Sequence, residues 1–333
     1  MTILSHFAFH GGAIDAARLV FADAPLPWID LSTGINPHPY PVGALAAEAW
    51  TRLPNAAPLA ALEAVAALRY GCPPSLQAVA APGTQAIIHR LPGLLPGRDV
   101  RLLGSTYGEY ARVFAASGAA ARVVAALDDL AGADVAVVVN PNNPDGRRVE
   151  PAALKALASR VGALIVDEAF MDALAPGQSL VPLLPSGRTL VLRSFGKFYG
   201  LAGLRLGFAL APPALASALR ESLGPWAVSG PALEIGTRAL ADTPWLDRSR
   251  ARLVAAAARL DDVLGHAGLA LIGGTPLFRL VRHAQAPAVF EALARAGLLT
   301  RPFAGEPAWL RFGLPGCEAA WIRLERALAA VPA

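Results

Sequence analysis

The chain has 333 residues, of which 54% are hydrophobic and 16% charged, enough apolar material for about two domains and too little charge for a disordered chain. The net charge is +4, but no dense Lys/Arg run underlies it, so a nucleic-acid partner is not indicated, whereas an anionic small substrate fits the scattered arginines. Of the 29 cationic residues only Lys155 and Lys197 are lysines, so lysine chemistry has two candidates.

The cysteines and the chain ends restrict the class of protein further. Cys72 and Cys317 lie in no paired motif, which argues against a disulfide framework or a Cys-rich metal site. The first residues lack the basic and apolar regions of a secretory signal, and no apolar run is long enough to span a bilayer. We therefore expect a cytoplasmic protein with no membrane association and no metal.

The first half of the chain alternates short apolar runs with helical stretches. Residues 1–42 are irregular and rich in Gly, Pro and aromatics, and we expect them to pack on a smaller domain and on the active site. A helix from about residue 57 ends at Gly71. Strands are then predicted in LQAVAA, DVRLLG, ARVVAAL, VAVVVN, ALIVDEAF, TLVLRSFG and LRLGFAL, with helices over 108–117 and 151–160.

This alternation predicts an α/β fold with a mainly parallel sheet, in which ligands lie at the carboxyl ends of the strands. Several polar residues follow the apolar runs directly, namely Thr84, Asn140, Asp167, Ser194 and Lys197. We expect a large domain over 43–225. After residue 212 the pattern changes to helices near 231–240, 246–264 and 286–296 with intervening strands, which predicts a smaller α+β domain over 226–333.

Three motifs together carry the strongest functional signal. Ser194-Phe-Gly-Lys197 leads into Gly200-Leu-Ala-Gly-Leu-Arg-Leu-Gly207, the strand before it ends in Asp167-Glu-Ala-Phe170, and an earlier strand ends in Asn140-Pro-Asn-Asn-Pro-Asp-Gly146. Each motif alone has an ordinary explanation as a loop, a helix start or a turn. In this order and spacing they resemble the pyridoxal-phosphate enzymes of fold type I, the class I/II aminotransferase superfamily.

The resemblance implies pyridoxal 5'-phosphate as the cofactor and assigns roles to the matching residues. Lys197 matches the lysine that holds the cofactor as an imine, which requires a neutral amine with a lowered pKa. Asp167 matches the carboxylate that keeps the ring nitrogen protonated, and Asn140 matches the donor to the phenolate oxygen. Lys197 and Asp167 are thus the catalytic candidates.

The cofactor phosphate needs several donors. Gly83-Thr84-Gln85 opens a helix after a strand, so backbone N–H groups converge there. By the resemblance, Ser194 and Arg205 are phosphate ligands and Tyr107 is the aromatic residue that stacks on the cofactor ring.

Two further motifs resemble the threonine-phosphate decarboxylase branch of the superfamily, which serves cobalamin synthesis: His10-Gly11-Gly12 and Ser32-Thr-Gly-Ile-Asn36-Pro37. The branch implies decarboxylation of L-threonine O-3-phosphate. By the same resemblance the substrate is bound by His10, Gly11, Asn36, Arg311 in WLRFG and, with a weaker match, Arg301 in LLTRPF. The bond at Cα that stands perpendicular to the cofactor ring is the one that breaks, so substrate orientation decides between decarboxylation and transamination.

Two of the positions at which the chain departs from the pattern of its relatives bear on the cofactor and on the subunit contact. Phe170 stands where many aminotransferases have a tyrosine, and Leu53 stands before Pro54 where many relatives have a tyrosine that reaches the partner subunit's phosphate. The family implies a homodimer, and Leu53 puts that cross-subunit contact in doubt.

Two alternatives remain open. One is an aminotransferase acting on histidinol phosphate or a related amino acid, which would depend on 2-oxoglutarate. The other is a cofactor-binding regulator without turnover; such regulators carry a DNA-binding arm before this fold, and the resemblance begins within the first dozen residues, so we expect an enzyme.

Overall fold

The computed structural model describes residues 7, 10–185 and 187–330. Its helices are α1 Ile14–Val20, α2 Glu48–Thr51, α3 Ala56–Tyr70, α4 Thr84–Ile88, α5 Leu91–Leu94, α6 Glu109–Ala116, α7 Pro151–Ala158, α8 Phe195–Phe198, α9 Pro213–Leu223, α10 Gly230–Ala241, α11 Thr243–His266, α12 Ala286–Arg295 and α13 Glu318–Ala329. Its strands are β1 Ile29–Asp30, β2 Gln77–Ala81, β3 Asp99–Leu103, β4 Ala120–Val124, β5 Val135–Val139, β6 Leu164–Asp167, β7 Thr189–Ser194, β8 Gly207–Ala211, β9 Ala270–Thr275, β10 Phe278–Arg282, β11 Leu298–Leu299, β12 Arg301–Pro302 and β13 Trp309–Gly313.

The chain divides into two compact units, each described here by itself. The large unit comprises residues 39–248, and the small unit comprises residues up to 38 together with those from 249 onwards. The division thus falls at 248/249, whereas the sequence suggested 225/226. The reason is the packing of α10: a Cβ on Gly236 would lie 2.9 Å from Leu62 of α3 and 2.6 Å from Leu206, so this helix belongs to the core of the large unit.

The large unit contains a sheet with the strand order β2-β8-β7-β6-β5-β3-β4. β8 runs antiparallel to β2 and β7, and the other neighbouring strands are parallel. Every residue of β5, β6 and β7 is buried, which explains why these strands read as continuous apolar runs. A cluster of buried apolar side chains joins the sheet to α4, α5, α6 and α9. The predicted α/β class with a mainly parallel sheet is confirmed.

The helices of the large unit begin and end close to the predicted positions. α3 ends where Gly71 takes a left-handed backbone conformation with φ +69°, as a glycine after a helix commonly does. α6 and α7 lie within the predicted ranges 108–117 and 151–160. The segment that carries Lys197, read from the sequence as a loop between strands, is instead the single helical turn α8.

The small unit contains an antiparallel sheet in the order β12-β13-β10-β9. β1 pairs in parallel with β11, so Ile29 lies beside Leu298 and Asp30 beside Leu299. This pairing groups the N-terminal segment with the C-terminal part of the chain. That segment is not wholly irregular, as its Gly and Pro content suggested, because it contains α1 and β1. Among the described residues, none of the helices has the length and apolar content needed to cross a bilayer.

Candidate active site

Polar residues end three neighbouring strands of the large sheet. Asn140 follows β5, Asp167 is the last residue of β6, and Ser194 is the last residue of β7. These strands are adjacent and parallel, with Val139 beside Asp167 and Asp167 beside Leu192, and the backbone N–H of Asn140 donates to the carbonyl of Asp167 at 2.8 Å. The fold therefore brings these predicted site residues to one edge of the sheet.

The carboxylate of Asp167 is buried and held by two donors. The hydroxyl of Tyr110 donates to its Oδ2 at 2.7 Å, and the backbone N–H of Ala169 donates to its Oδ1 at 2.9 Å. Burial raises the pKa of Asp167 above its ordinary value, while these two hydrogen bonds and the charge of Lys197 act in the opposite direction. This carboxylate is stable as an anion only where a cation or donors face it.

The side chain of Asn140 has a fixed orientation. Its Oδ1 accepts a hydrogen bond from the backbone N–H of Val149 at 2.9 Å, and its Nδ2 donates to the carbonyl of the same residue at 3.0 Å. The residue is almost completely buried. Because an amide nitrogen carries two hydrogens, one N–H of Asn140 is left for another acceptor.

Lys197 lies in α8, directly after β7. The neighbouring Phe195, Phe198 and Tyr199 are fully buried, and the rings of Phe195 and Tyr199 stack with their centroids 4.2 Å apart. These contacts fix the helical turn that carries the lysine. The Nζ atom lies 5.7 Å from the ring centroid of Phe170, and it contributes electrostatically to the environment of Asp167.

A second group of predicted residues meets where α4 begins. Gly83 has φ +83°, and a Cβ there would lie 2.7 Å from Nη2 of Arg205. A Cβ on Gly207, the first residue of β8, would lie 2.6 Å from the backbone nitrogen of Thr84, and Ser194 is beside Gly207 in the β7–β8 pair. The first N–H groups of a helix have no partner within it. The arrangement thus places backbone N–H groups, a hydroxyl and a guanidinium close together.

The side chains of Gln85 and Tyr107 contact each other. The hydroxyl of Tyr107 donates to Oε1 of Gln85 at 3.2 Å, and Nε2 of Gln85 donates to Oε2 of Glu109 at 2.6 Å. The same nitrogen of Gln85 lies 3.1 Å from Nε2 of His89, so both of its N–H groups face side chains and only the backbone N–H of Gln85 is left for an anion at the start of α4. Tyr107 is partly buried, and its ring stands edge-on to that of Tyr110, with the centroids 6.3 Å apart.

Glu168 and Arg193, next in sequence to Asp167 and Ser194, belong to a buried charged network that was not predicted from the sequence. Arg193 lies 3.1 Å from Glu168 and 2.8 Å from Asp172, and all three side chains are buried. Glu168 also accepts from the hydroxyl of Ser179 at 2.6 Å and the backbone N–H of Leu180 at 2.8 Å. Burial raises the pKa of Glu168, and the charge of Arg193 opposes this. The signal in the sequence was a charged residue inside each of two apolar runs.

The small unit contains a pair of buried arginines. Arg301 in β12 is directly opposite Arg311 in β13. Their exposed fractions are 9% and 3%. Each guanidinium lies over a phenylalanine ring, Arg301 over Phe303 and Arg311 over Phe278, both at 5.0 Å from the ring centroid. The two side chains that the sequence proposed for substrate thus lie on neighbouring strands.

The charges of this pair act on each other. Burial lowers the pKa of Arg311 well below its ordinary value and the charge of Arg301 lowers it further, whereas the charge of Asp30 acts in the opposite direction. Two buried cations on neighbouring strands favour the binding of an anion, because an anion offsets both the loss of hydration and the repulsion.

The predicted segment from His10 to Gly12 packs against Ser32. A Cβ on Gly11 would collide with the carbonyl oxygen of Ser32, and the backbone N–H of Gly12 donates to Oγ of Ser32 at 2.7 Å. Ser32 in turn donates to Oδ1 of Asp30 at 2.6 Å. The side chain of His10, the first residue of the segment, is exposed.

Ser32 also connects this segment to the arginine pair. Its carbonyl accepts a hydrogen bond from Nη2 of Arg311 at 2.6 Å. Ser32 was predicted only as the first residue of a motif, without a role, and Asp30 was not singled out, although the short Asp-Leu-Ser run places them two residues apart. Asn36 is buried a few residues later, where its Oδ1 accepts the backbone N–H of His38 at 2.9 Å.

The residues predicted for the cofactor therefore all lie in the large unit, and those predicted for the substrate all lie in the small unit. The former are Gly83, Thr84, Gln85, Tyr107, Asn140, Asp167, Ser194, Lys197 and Arg205. The latter are His10, Gly11, Asn36, Arg301 and Arg311.

Comparison with known proteins yields consistent matches along the whole chain. The family described as aminotransferase class I and II matches residues 27–330. A threonine-phosphate decarboxylase of Pseudomonas aeruginosa is 45% identical over 331 residues, which cover 96% of each chain, and one of Sinorhizobium sp is 45% identical over 96% of this chain and 97% of its own.

A solved structure shares the fold. It is a histidinol-phosphate aminotransferase from Sinorhizobium meliloti in complex with pyridoxal-5'-phosphate, with a TM-score of 0.80, 21% identity, and coverage of 98% of this chain and 96% of its own. At this identity the likeness concerns the fold alone. The fold implied by the three motifs is confirmed.

Proposed function

This chain belongs to the aminotransferase class I and II family, and on that premise we propose that it is a pyridoxal-phosphate-dependent lyase that decarboxylates L-threonine O-3-phosphate to (R)-1-amino-2-propanol O-2-phosphate, a step of cobalamin biosynthesis. The decarboxylases that are 45% identical over nearly the whole chain support this reaction. The structural observation that carries the proposal is the buried pair Arg301 and Arg311.

The arginine pair suits a phosphorylated substrate. A phosphate monoester is close to a dianion at neutral pH, and guanidinium groups bind its oxygens through charge-assisted, forked hydrogen bonds. One arginine is enough to neutralise a carboxylate, whereas Arg301 and Arg311 on facing positions match the charge of a phosphate. With both arginines on the phosphate, neither clamps the substrate carboxylate, which suits a reaction in which that carboxylate is lost.

The residues of the large unit fit the cofactor. Gly83 leaves space that a Cβ would fill beside Arg205, so a phosphate can reach the guanidinium and the first N–H groups of α4. The buried carboxylate of Asp167 suits the cationic ring nitrogen, and the free N–H of Asn140 suits the phenolate oxygen. Lys197, one of two lysines in the chain, supplies the amine.

These residues define a division of tasks. Bound pyridoxal phosphate supplies an electron sink for the bond that breaks at the substrate Cα. Asp167, held by Tyr110 and the N–H of Ala169, keeps a negative charge facing the ring nitrogen. The Nζ atom of Lys197 holds the cofactor before substrate binds and, once carbon dioxide has left, delivers a proton to Cα. Phe170 beside Nζ adds no proton donor to the site.

The decisive experiment is a product assay with L-threonine O-3-phosphate and added cofactor in the absence of any keto acid. We expect carbon dioxide and aminopropanol phosphate in equal amounts. If neither forms, and amino transfer from histidinol phosphate to 2-oxoglutarate does occur, the protein is an aminotransferase instead. The absence of both reactions would overturn the proposal of an enzyme acting on these phosphates.

We further propose a homodimer in the cytoplasm. The proposal follows the family resemblance, and Trp50, Leu53 and Trp226 of the large unit, with exposed fractions of 69%, 63% and 59%, are apolar side chains that a second subunit could cover. Cys72 and Cys317 are free thiols, as in reducing compartments. Light scattering after gel filtration tests the dimer, and W50E and W226E are expected to shift the mass toward the monomer.

A further inference from the structure

Glu109 is a buried carboxylate beside the aromatic residue proposed to pack on the cofactor. It is the first residue of α6 and is only 3% exposed. Arg112, three residues later, binds both of its oxygens, with Nε at 2.9 Å from Oε1 and Nη2 at 2.7 Å from Oε2. This forked ion pair keeps Glu109 ionised, so that its oxygens can only accept hydrogen bonds.

The ionised carboxylate fixes the orientation of Gln85. Because Glu109 only accepts, the amide group of Gln85 turns its nitrogen toward Oε2, at 2.6 Å. Nη2 of Arg112 can only donate and lies 3.2 Å from Nε2 of His89, which assigns this imidazole nitrogen as an acceptor. The amide nitrogen of Gln85 lies 3.1 Å from the same acceptor. Both neighbours of the nitrogen are acceptors, and the amide oxygen must therefore point away from them.

The amide oxygen then determines the position of Tyr107. It accepts the hydroxyl hydrogen of Tyr107 at 3.2 Å. If the amide of Gln85 were reversed, its NH₂ group would face the tyrosine and its oxygen would face the carboxylate of Glu109, which is repulsive. The order Glu109, Gln85, Tyr107 is thus a directed chain of hydrogen bonds, and its direction depends on the charge of Glu109.

We propose that Glu109 is a positioning residue for the cofactor: through Gln85 it holds the ring of Tyr107 in the orientation in which it packs on pyridoxal phosphate. The inference rests on the proposed function, because it takes Tyr107 as the stacking residue. Glu109 has no direct contact with the cofactor in this role and acts only through the two side chains that follow it.

The test uses E109Q, Q85M and Y107F and measures the dissociation constant of pyridoxal phosphate for the cofactor-free protein by absorbance. A glutamine at position 109 has one oxygen instead of two and adds donors, so it no longer fixes the amide of Gln85. Loss of one hydrogen bond corresponds to about a threefold to tenfold weaker affinity. We expect each single variant to show a loss of this size.

A double-mutant cycle separates positioning from general damage. If Glu109 acts through Tyr107, then E109Q in the Y107F background weakens cofactor binding no further than Y107F alone. The proposal would be overturned if the two substitutions weakened cofactor binding independently, so that their fold losses in affinity multiplied. It would also be overturned if the E109Q protein kept wild-type affinity and the wild-type visible circular dichroism of the bound cofactor. Q85M keeps the test decisive if E109Q fails to fold, since it breaks the same chain without removing the charge.

Glu63 offers a matched control. It is another carboxylate of the large unit with little exposure, bound to Arg220 at 2.9 Å and to the backbone N–H of Ala80 at 2.9 Å. We expect E63Q to lower the melting temperature without changing the cofactor dissociation constant. Failure of the proposed function is distinguishable, because it shows in the wild-type product assay, whereas the effect of E109Q is read from cofactor affinity, which does not depend on whether the bound cofactor serves decarboxylation or amino transfer.

Discussion

Tyr110 donates a hydrogen bond of 2.7 Å to Oδ2 of Asp167, and both side chains are buried. Tyr110 is in the first turn of α6 and Asp167 is the last residue of β6, 57 positions later in the chain. Burial raises the pKa of Asp167, and the hydrogen bond from Tyr110 is the strongest of the opposing influences. This contact therefore helps keep the proposed partner of the ring nitrogen ionised.

Removing that hydrogen bond is expected to shift the acid limb of the pH–rate profile. In Y110F the pKa of Asp167 rises further, so the ionised form is lost at a higher pH as the pH falls, and activity is lost with it. We expect kcat to fall by about threefold to tenfold near neutral pH. Y70F is the control, because Tyr70 is another buried tyrosine of the large unit without a contact to Asp167; a shift of equal size in Y70F would contradict this account.

The two lysines give a direct test of cofactor attachment. We expect K197A to abolish the visible absorbance of the covalently bound cofactor, since no other amine of the large unit lies beside Asp167. K155A should leave it intact, because Lys155 is on the exposed face of α7. Absorbance spectra of the purified proteins decide the matter, and a spectrum that survives in K197A would remove the basis for the proposed site.

The arginine pair should bind phosphate even without turnover. We expect R311Q and R301Q to raise KM for L-threonine O-3-phosphate by about tenfold or more, since a hydrogen bond between charged groups contributes about 1.5–3 kcal/mol. In the wild-type protein inorganic phosphate should raise the melting temperature, because an anion offsets the repulsion that lowers the pKa of Arg311. R282Q, which alters an exposed arginine of β10, is the control. It should keep the wild-type KM for L-threonine O-3-phosphate and the wild-type rise in melting temperature with inorganic phosphate.

Gly83 should be required for cofactor binding beyond its backbone conformation. An alanine there meets Arg205 at 2.7 Å and also strains the backbone at φ +83°, so we expect G83A to weaken pyridoxal-phosphate binding. Gly118 has a similar φ of +87° with no atom within 4 Å of a Cβ. G118A therefore reproduces the strain alone, and equal cofactor affinities of the two variants, measured by titration, would argue against a phosphate beside Gly83.

The buried charge network should matter for stability. R193M leaves the carboxylates of Glu168 and Asp172 buried without their shared cation, and breaking such a pair costs about 3–5 kcal/mol. Urea unfolding of the cofactor-free protein measures the loss. R160M, which breaks an exposed pair with Asp128, should change the midpoint little. Equal midpoints for the two variants would contradict a structural role of the network.

Much of the large unit could be predicted from the sequence, since its central strands are buried on both faces and read as short apolar runs between helices. Because those runs are apolar throughout, the polar residues at their ends could be predicted as site residues. The segment at Lys197 was predicted as a loop, because a four-residue helix held by stacked aromatic rings is too short to show a helical periodicity in hydrophobicity.

The boundary between the units could not be predicted in this way. The change in pattern after residue 212 reflects the end of the large sheet, whereas the division at 248/249 depends on α10 packing on α3. Packing of this kind depends on which helix faces meet, and this cannot be inferred from a change of composition along the chain.

By itself the sequence determined the α/β class, the order of the strands along the chain and the types of residue at their ends, because these depend on local hydrophobic patterning and on motifs of fixed spacing. Only the tertiary structure decided which of those residues have partners: Tyr110 with Asp167, Glu109 with Gln85 and Tyr107, and Arg301 opposite Arg311. Strand order and register bring these side chains together, and both are set by long-range packing, which has no signature at any single position of the sequence.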